Sequence, residues 1–242
     1  MTRIGILHTD FPEKFGVPRQ PGLVPGLTGT IVLEPDFGHR DWVRGIEEFS
    51  HLWILWGFSE NPPGEASALV RPPRLGGREK RGVFATRSPF RPNPIGLTSV
   101  RLLEVGADAT GATTLLVEGV DMVDGSPVYD IKPYLPYSDA HPEAVGGFGD
   151  AHATEQIPVD CDPALLALVP EEKRATLLAV LAQDPRGAWE KNREGIFAMA
   201  FGDVDVRFAQ RAGRLEVLAV VPGRRGGRGK DGGTSGEKKP SV

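Results

Sequence analysis

A succession of short strand-like segments, with no helix of ordinary length between them, constrains the fold of the first half of this chain. The segments are rich in β-branched and aromatic residues, and clusters of Gly, Pro and Asp separate them. Units of the βαβ type need a helix between strands, so the pattern predicts an antiparallel or mixed barrel or sandwich instead. The seven predicted strands are 4–9, 29–34, 51–58, 82–86, 95–105, 113–121 and 128–132.

Helical signals are few. Residues 41–49 are the one helix candidate in the first half, with Asp41 suited to cap the first turn. In the second half, residues 170–183 show an amphipathic pattern that begins at a proline, and Asp184-Pro185 ends it. The segments 204–210 and 214–221 then predict a hairpin.

The domain organisation follows from a turn-rich stretch over 135–149, which is typical of a linker. The chain is therefore predicted to be mainly β, with a barrel domain over 1–147 and a small α+β domain over 148–222. Residues 223–242 are Gly-rich and basic and are predicted to be a disordered tail.

Charge is distributed unevenly along the chain. The net charge is −4, but the last twenty residues hold six basic and two acidic residues, so residues 1–222 carry −8. One window within that acidic body is strongly basic. A solvated loop face and a directed anion site are both consistent with such a window. Its charged residues are Arg71, Arg74, Arg78, Lys80, Arg81, Arg87 and Arg91, against Glu79.

The segment from Phe84 to Gly96, FATRSPFRPNPIG, is predicted to be a stiff loop. Its three prolines remove three N–H donors, and each residue before a proline is driven to extended geometry. The carbonyl groups of the loop are therefore expected to stay free for a ligand. Arg87 and Arg91, held on a rigid segment, would lose little entropy on meeting a carboxylate or phosphate. A purely structural turn is the alternative.

Two further polar segments resemble that loop in being framed by Pro, Gly or turn residues. One is FGVPRQPGLVPG, which contains Arg19 and Gln20. The other is VDMVDGSPVYDIKPYLPY, for which a hairpin with Asx turns and a tyrosine core is the alternative reading. Three such segments on one strand-rich scaffold predict a single composite pocket. The polar residues of the second segment are Asp121, Asp124, Asp130, Tyr134 and Tyr137.

Several classes of chemistry lack their sequence signals. There is no phosphate-binding GxxxxGK[ST] loop, no GxGxxG after a strand, and no nucleophile elbow. The five histidines do not fall at metal-ligand spacing, so no metal site is expected. Cys161 alone excludes an internal disulfide, fits a reducing cytoplasm, and is read as a packing residue. No apolar run predicts a membrane span or an export signal. Group transfer from an activated donor fits these constraints, because positioning supplies most of its catalysis.

Taken together, several segments resemble one family, the TsaA-like or TrmO-family methyltransferases. The segments are FGVPRQPGL, RGIEEFSHLWILW, LVRPPRLGG, GVFATRSPFRPNPIGL and DGSPVYDIKPYLPY. LAQDPRGAW and VDVRF resemble the C-terminal extension of the family. The resemblance implies a single-sheeted β-barrel that binds S-adenosylmethionine, forms homodimers, and methylates N6 of the threonylcarbamoylated adenosine at tRNA position 37, in the anticodon stem-loop.

The resemblance also implies a cofactor site. Members often carry a His-Gln pair after the third strand, whereas this chain has Ser59-Glu60, which puts a carboxylate where a neutral amide is common. Arg87 or Arg19 would hold the methionyl carboxylate, and Asp124 would face the ribose hydroxyls. The implied cofactor-binding residues are Pro18, Arg19, Gln20, Ser59, Glu60, Arg87, Leu97, Asp124, Gly125, Ser126 and Pro127.

Catalysis and RNA binding receive candidates on the same basis. A general base is expected to assist removal of the N6 proton, and Asp124, Asp130 and Tyr134 are unranked candidates for it. The basic window would meet the phosphates of the anticodon stem-loop. A non-catalytic RNA-binding or cofactor-sensing barrel, or a methyltransferase for another substrate, remains the alternative. The expected RNA-binding residues are Arg71, Arg74, Arg78, Lys80, Arg81 and Arg91.

Overall fold

Six antiparallel strands close on one another as a barrel in the first part of the chain. This is seen in a computed structural model that describes residues 1–61, 64, 66–72, 75, 79–152, 155–187 and 195–223. The first eight strands are β1 (Gly5–Thr9), β2 (Thr28–Leu33), β3 (His51–Gly57), β4 (Leu69–Val70), β5 (Arg81–Gly82), β6 (Ile95–Ala107), β7 (Thr113–Glu118) and β8 (Ser126–Pro133). The order around the barrel is β1-β2-β7-β6-β3-β8, and β4 and β5 form a separate two-stranded ribbon.

Alternation along the strands fills the barrel with apolar side chains. In β2 and β7, every second residue is buried, as expected when successive side chains point to opposite faces. Trp56 also points inward, and its ring occupies the space that a side chain at Gly96, on the neighbouring strand, would need. A Cβ atom at residue 96 would lie 2.2 Å from the Trp56 ring, so glycine is needed there. The predicted single-sheeted barrel is confirmed.

Two predicted elements of this half are wrong. The segment 82–86 contributes only Gly82 to a strand, and Val83–Ala85 form a 3-10 turn that leaves Phe84 79% exposed. The segment 41–49 is not an α-helix but two 3-10 turns, Arg40–Val43 and Ile46–Glu48. Gly45 lies between them with φ +84°, which an α-helix does not accommodate.

The second half forms a four-stranded sheet with one long helix. The strands are β9 (Val159–Asp160), β10 (Ile196–Phe201), β11 (Val204–Arg211) and β12 (Arg214–Pro222), in the order β10-β11-β12-β9. The helices are α1 (Pro136–Asp139), α2 (Pro163–Leu166) and α3 (Glu171–Ala182). The predicted helix, hairpin and α+β composition of this part are confirmed.

The barrel and the second half share an apolar core. The rings of Phe11 and Phe201 meet edge to face, with centroids 5.6 Å apart. Beside them, the Gly202 N–H donates to the Asp10 carbonyl over 2.7 Å, and Lys173 Nζ donates to Asp10 Oδ1 over 2.6 Å. The domain boundary at residue 147 stays a prediction, and the predicted disordered tail lies outside the described residues from 224 onward. Within the described ranges, no helix has the length and hydropathy that crossing a membrane would require.

Candidate active site

Three connections meet at one end of the barrel. The first loop (10–27) joins β1 to β2, the second (58–94) joins β3 to β6, and the third (119–125) joins β7 to β8. The strand register brings their ends together, because Thr9 pairs with Gly29 and Gly57 pairs with Ile95. The sequence contains three polar segments framed by Pro, Gly or turn residues. Each of them therefore reaches the same end of the barrel.

The first and second loops are joined by a side-chain contact. Arg87 Nη1 donates to Gln20 Oε1 over 2.5 Å, and Gln20 Nε2 donates to the Arg19 carbonyl. Both the oxygen and the nitrogen of the Gln20 amide are therefore hydrogen-bonded within the protein. This arrangement orients the Arg87 guanidinium, which keeps further donors for an anionic ligand.

The third loop supplies a half-buried carboxylate, Asp121, to this end of the barrel. Thr98 Oγ1 on β6 donates to Asp121 Oδ1 over 2.7 Å, and Trp56 Nε1 on β3 donates to Thr98 Oγ1 over 2.9 Å. Burial raises the pKa of Asp121 to about 6, although the Thr98 hydrogen bond and the charge of Arg87 act to lower it. The group therefore titrates close to neutral pH.

The turn that follows holds a second carboxylate at the surface. Asp124 Oδ1 lies 3.1 Å from His8 Nδ1 and accepts from the Thr9 N–H, also over 3.1 Å. Gly125 has φ +77°, a conformation that favours glycine, and its N–H donates to the Leu7 carbonyl. Ser126 is buried and its hydroxyl donates to the Val123 carbonyl. Asp124 is thus fixed beside β1, at the rim of the three loops.

Arg19 contacts the C-terminal half of the chain. Its Nη2 donates to the carbonyl oxygens of Asp184 and Arg186, over 3.2 and 3.0 Å. Arg186 is only 1% exposed and forms a two-pronged pair with the Asp184 carboxylate, with N···O distances of 2.8 and 3.0 Å. Its Nη1 donates to Gln210 Oε1 over 2.7 Å. The first loop is thereby attached to a buried ion pair of the second half.

Comparison with protein families gives the matching domains. Residues 6–140 match the profile of the tRNA-methyltransferase O N-terminal domain, and residues 154–223 match that of the TrmO C-terminal domain. The chain belongs to the TrmO family. The expected resemblance is confirmed over both halves.

Individual relatives of the TrmO family align over most of their length. A tRNA (adenine(37)-N6)-methyltransferase of Escherichia coli (strain K12) is 42% identical over 228 residues, covering 91% of this chain and 97% of that protein. A putative S-adenosylmethionine-dependent methyltransferase, RcsF, of Pseudomonas aeruginosa is 38% identical, covering 91% and 96%. The crystal structure of TrmO from Pseudomonas aeruginosa superposes with a TM-score of 0.71 at 35% identity, covering 91% and 96%.

The remaining residues that the TrmO resemblance singled out lie around the same end. Pro18 is buried in the first loop, and Ser59 and Glu60 are exposed directly after β3. Lys14 Nζ donates to the Glu60 carbonyl over 2.6 Å, so the backbone there already has one partner. Leu97 points outward from β6 and is 55% exposed. Pro127 is the second residue of β8, after Ser126, and is half-buried.

The proline loop is less open than the sequence indicated. Backbone N–H groups donate to the carbonyls of Pro89, Phe90, Asn93 and Pro94, over 2.8 to 3.1 Å. The expectation of free carbonyls is therefore wrong for these four. Arg91 also turns back onto the loop, where its Nη1 donates to the Thr86 carbonyl over 3.4 Å.

The three proposed bases are not brought together. Asp124 lies at the loop end, whereas Asp130 forms an exposed pair with Lys132, at 2.7 Å. Tyr134 lies at the opposite end, where its N–H donates to the His51 carbonyl and its ring packs 5.5 Å from Trp53. The half-buried Asp121 was not among the candidates. The signal for it was a carboxylate flanked by apolar residues directly after a strand, since Val120 and Met122 are both buried.

The expected RNA-binding residues are only partly described. Arg71, Lys80 and Arg81 are exposed, and Arg81 pairs with Glu79 at 2.8 Å. Arg74 and Arg78 lie outside the described residues. Within the described part of the chain, no three His, Cys, Asp or Glu side chains are grouped so as to hold a metal ion.

Proposed function

We propose that this protein methylates N6 of threonylcarbamoyladenosine at position 37 of tRNA, with S-adenosylmethionine as donor. The family membership confirms the enzyme class and the cofactor predicted from the sequence, an S-adenosylmethionine-dependent tRNA methyltransferase. The E. coli relative is named for adenine 37 and its N6 atom, and this chain acts at the same atom. The threonylcarbamoyl group is the finer part of the proposal.

The convergence of three polar loops on Arg87 carries the proposal for the site. S-adenosylmethionine brings an anionic carboxylate and a ribose with two hydroxyls, and the loop end offers a group for each of these two parts. Arg87, oriented by Gln20, would form a bidentate pair with the carboxylate. Asp124 would accept from the ribose hydroxyls. The proposed cofactor-binding set is Pro18, Arg19, Gln20, Ser59, Glu60, Arg87, Leu97, Asp124, Gly125, Ser126 and Pro127, with Arg19 acting through its backbone carbonyl.

The exposed basic residues of the second loop support a tRNA partner. Arg71, Lys80 and Arg81, in or next to the β4–β5 ribbon, are exposed, and so is the ring of Phe84 in the turn that follows β5. Lysine and arginine bind phosphates in a salt-dependent way, and unpaired bases stack on aromatic rings. A base in an anticodon loop is already partly unstacked, so its access to the site costs little. We include Arg71, Arg74, Arg78, Lys80, Arg81 and Arg91 in the proposed RNA-binding surface, and we expect a cytoplasmic homodimer.

Methyl transfer from labelled S-adenosylmethionine to two threonine-tRNA anticodon stem-loops tests the substrate. One stem-loop carries the threonylcarbamoyl group and the other has plain adenosine. We expect transfer to the first only. Equal transfer to both would contradict the finer proposal, and transfer to neither with the cofactor bound would favour another substrate or a cofactor sensor.

Substitution of Arg87 tests the proposed site. Arg87→Lys keeps the charge but loses the planar fork, so we expect KM for S-adenosylmethionine to rise by about 10-fold or more. Arg101→Lys, on the outer wall of the barrel and exposed, is the matched control. An unchanged KM in Arg87→Lys would remove Arg87 from the site.

A further inference from the structure

Asp121 is a half-buried carboxylate to which no described lysine or arginine donates a hydrogen bond. Its Oδ1 accepts from the Thr98 hydroxyl, and its own backbone N–H also favours the charged form. Arg87 is close enough for its charge to act on Asp121, but the guanidinium hydrogen-bonds to Gln20 instead. Loss of water around such a carboxylate disfavours its charge, so the choice of an ionisable residue here calls for another explanation.

The hydrogen bonds around Asp121 have a fixed direction. The indole of Trp56 can only donate, so the Thr98 oxygen accepts from it and the Thr98 proton points to Asp121. Asp121 Oδ1 is thereby held as an acceptor. Asparagine would accept the same hydrogen bond without a charge, which means that the local structure does not require a carboxylate.

We propose that Asp121 is the catalytic base, a role that rests on the proposed function above. The N6 atom of the substrate belongs to a ureido group, whose delocalised lone pair is a poor nucleophile. As the bond from sulfur to the methyl carbon breaks and the bond from that carbon to N6 forms, the N6 proton passes to Asp121 Oδ2. The products are S-adenosylhomocysteine, the N6-methylated nucleoside and a neutral Asp121, which returns its proton to solvent.

The other candidate bases are less suited to this step. Asp124 already accepts from the Thr9 N–H and lies against His8. Asp130 is paired with Lys132, and Tyr134 is at the far end of the barrel. The pKa of Asp121, raised by burial to about 6, makes it a stronger proton acceptor than an ordinary carboxylate while leaving it ionised at neutral pH.

The test is Asp121→Asn in the full-length protein, with the threonylcarbamoylated stem-loop as substrate. We expect kcat to fall by about 10²- to 10⁴-fold. Calorimetry should give an S-adenosylmethionine affinity close to that of the unaltered enzyme. The fall in kcat of the unaltered enzyme on acidification through about pH 6 should be absent in the variant. Asp108→Asn, in a turn at the opposite end where asparagine can keep the turn, is the control.

Thr98→Val provides a second readout that a structural role would not move. Loss of the hydroxyl removes a donor that favours the charged carboxylate, so the acid limb of kcat should shift to higher pH. An Asp121→Asn variant with normal kcat would overturn the inference, as would a raised KM for S-adenosylmethionine at unchanged kcat. If the unaltered enzyme transfers no methyl group to this stem-loop, the proposed function is wrong. The role of Asp121 would then fail with it, because there would be no N6 proton to accept.

Discussion

Two aspartates in this protein, the buried Asp184 and the half-buried Asp121, are held in opposite ways. Asp184, in the C-terminal half, receives both prongs of the Arg186 guanidinium, and the two residues are 8% and 1% exposed. Asp121, at the loop end of the barrel, receives the Thr98 hydroxyl and its own backbone N–H, and no described cation donates to it. The charge of the first carboxylate is compensated by a paired guanidinium, whereas the second lacks such a pair and has a raised pKa. A carboxylate paired with a cation is suited to building structure, and one without such a pair to accepting a proton.

Local sequence explains how each is presented. Asp184 follows α3 and its cap residue Gln183. The φ angle of Asp184 is +50°, a left-handed conformation that aspartate tolerates better than most residues. Pro185 then prevents the helix from continuing and returns Arg186 to the Asp184 carboxylate. Asp121 instead lies between the buried Val120 and Met122, in a loop too short to carry it away from the barrel interior.

The largest effect is expected from breaking the buried ion pair. Arg186→Met leaves a buried carboxylate without its cation, which should lower the free energy of unfolding by about 3–5 kcal/mol. Urea unfolding measures the change. Arg214→Met, which removes the similar but exposed pair with Asp160, is the control and should have a much smaller effect. Equal losses in the two variants would contradict the distinction drawn from burial.

Asp121→Asn should raise, and not lower, the free energy of unfolding. Asp121 has a pKa of about 6 in the folded protein against an ordinary value of 3.8, so the folded state binds this proton more tightly than the unfolded state. Its contribution to stability is therefore lost as pH rises from about 4 to about 6. The variant should be more stable by about 2–3 kcal/mol above pH 6, and the difference should vanish near pH 4. A variant less stable than the parent at pH 8 would refute this.

Arg19 tests whether the two regions are coupled. Arg19→Met removes the hydrogen bonds to the carbonyls of Asp184 and Arg186 and releases the loop that carries Gln20. We expect KM for S-adenosylmethionine to rise about 5- to 10-fold, equivalent to about 1 kcal/mol, without a shift in the acid limb of kcat. Arg3→Met, at the other end of the barrel, is the control. A shifted acid limb would mean that Arg19 acts on Asp121 itself.

A modest effect is expected at the Lys173–Asp10 ion pair, whose exposure is intermediate. Lys173 and Asp10 join α3 to the first loop at 2.6 Å, and both remain partly accessible to solvent. Lys173→Met should cost about 0.5–1 kcal/mol in urea unfolding, since solvent screens the pair. This value should lie between those of the buried Arg186 pair and the exposed Arg214 pair. A loss as large as that of Arg186→Met would show that burial does not set the order.

Local signals in the chain were sufficient for most elements. The alternation in TGTIVL is reproduced as β2, and Asp184-Pro185 ends α3 as expected. The strand prediction for residues 82–86 was wrong because this segment turns at Val83–Ala85 and pairs with no barrel strand, so the Phe84 side chain is exposed. The helix prediction for residues 41–49 was wrong because Gly45 adopts a left-handed conformation, which interrupts a helix despite the helical spacing of the apolar residues. In both segments some apolar side chains, such as Val43 and Val83, are buried, but from 3-10 turns and not from the predicted strand or helix.

The candidate site divides along a similar line. The sequence alone established the strand-rich class, the three polar loops and the family, because turn residues and strand alternation act over a few positions. The closure of the barrel decided which of those residues meet. Thr98 and Asp121 are 23 residues apart, and Arg19 and Asp184 are 165 apart, so neither contact has a local signal. Burial of Asp121, and with it a pKa suited to proton transfer, exists only once the barrel wall and the loops have excluded water around it.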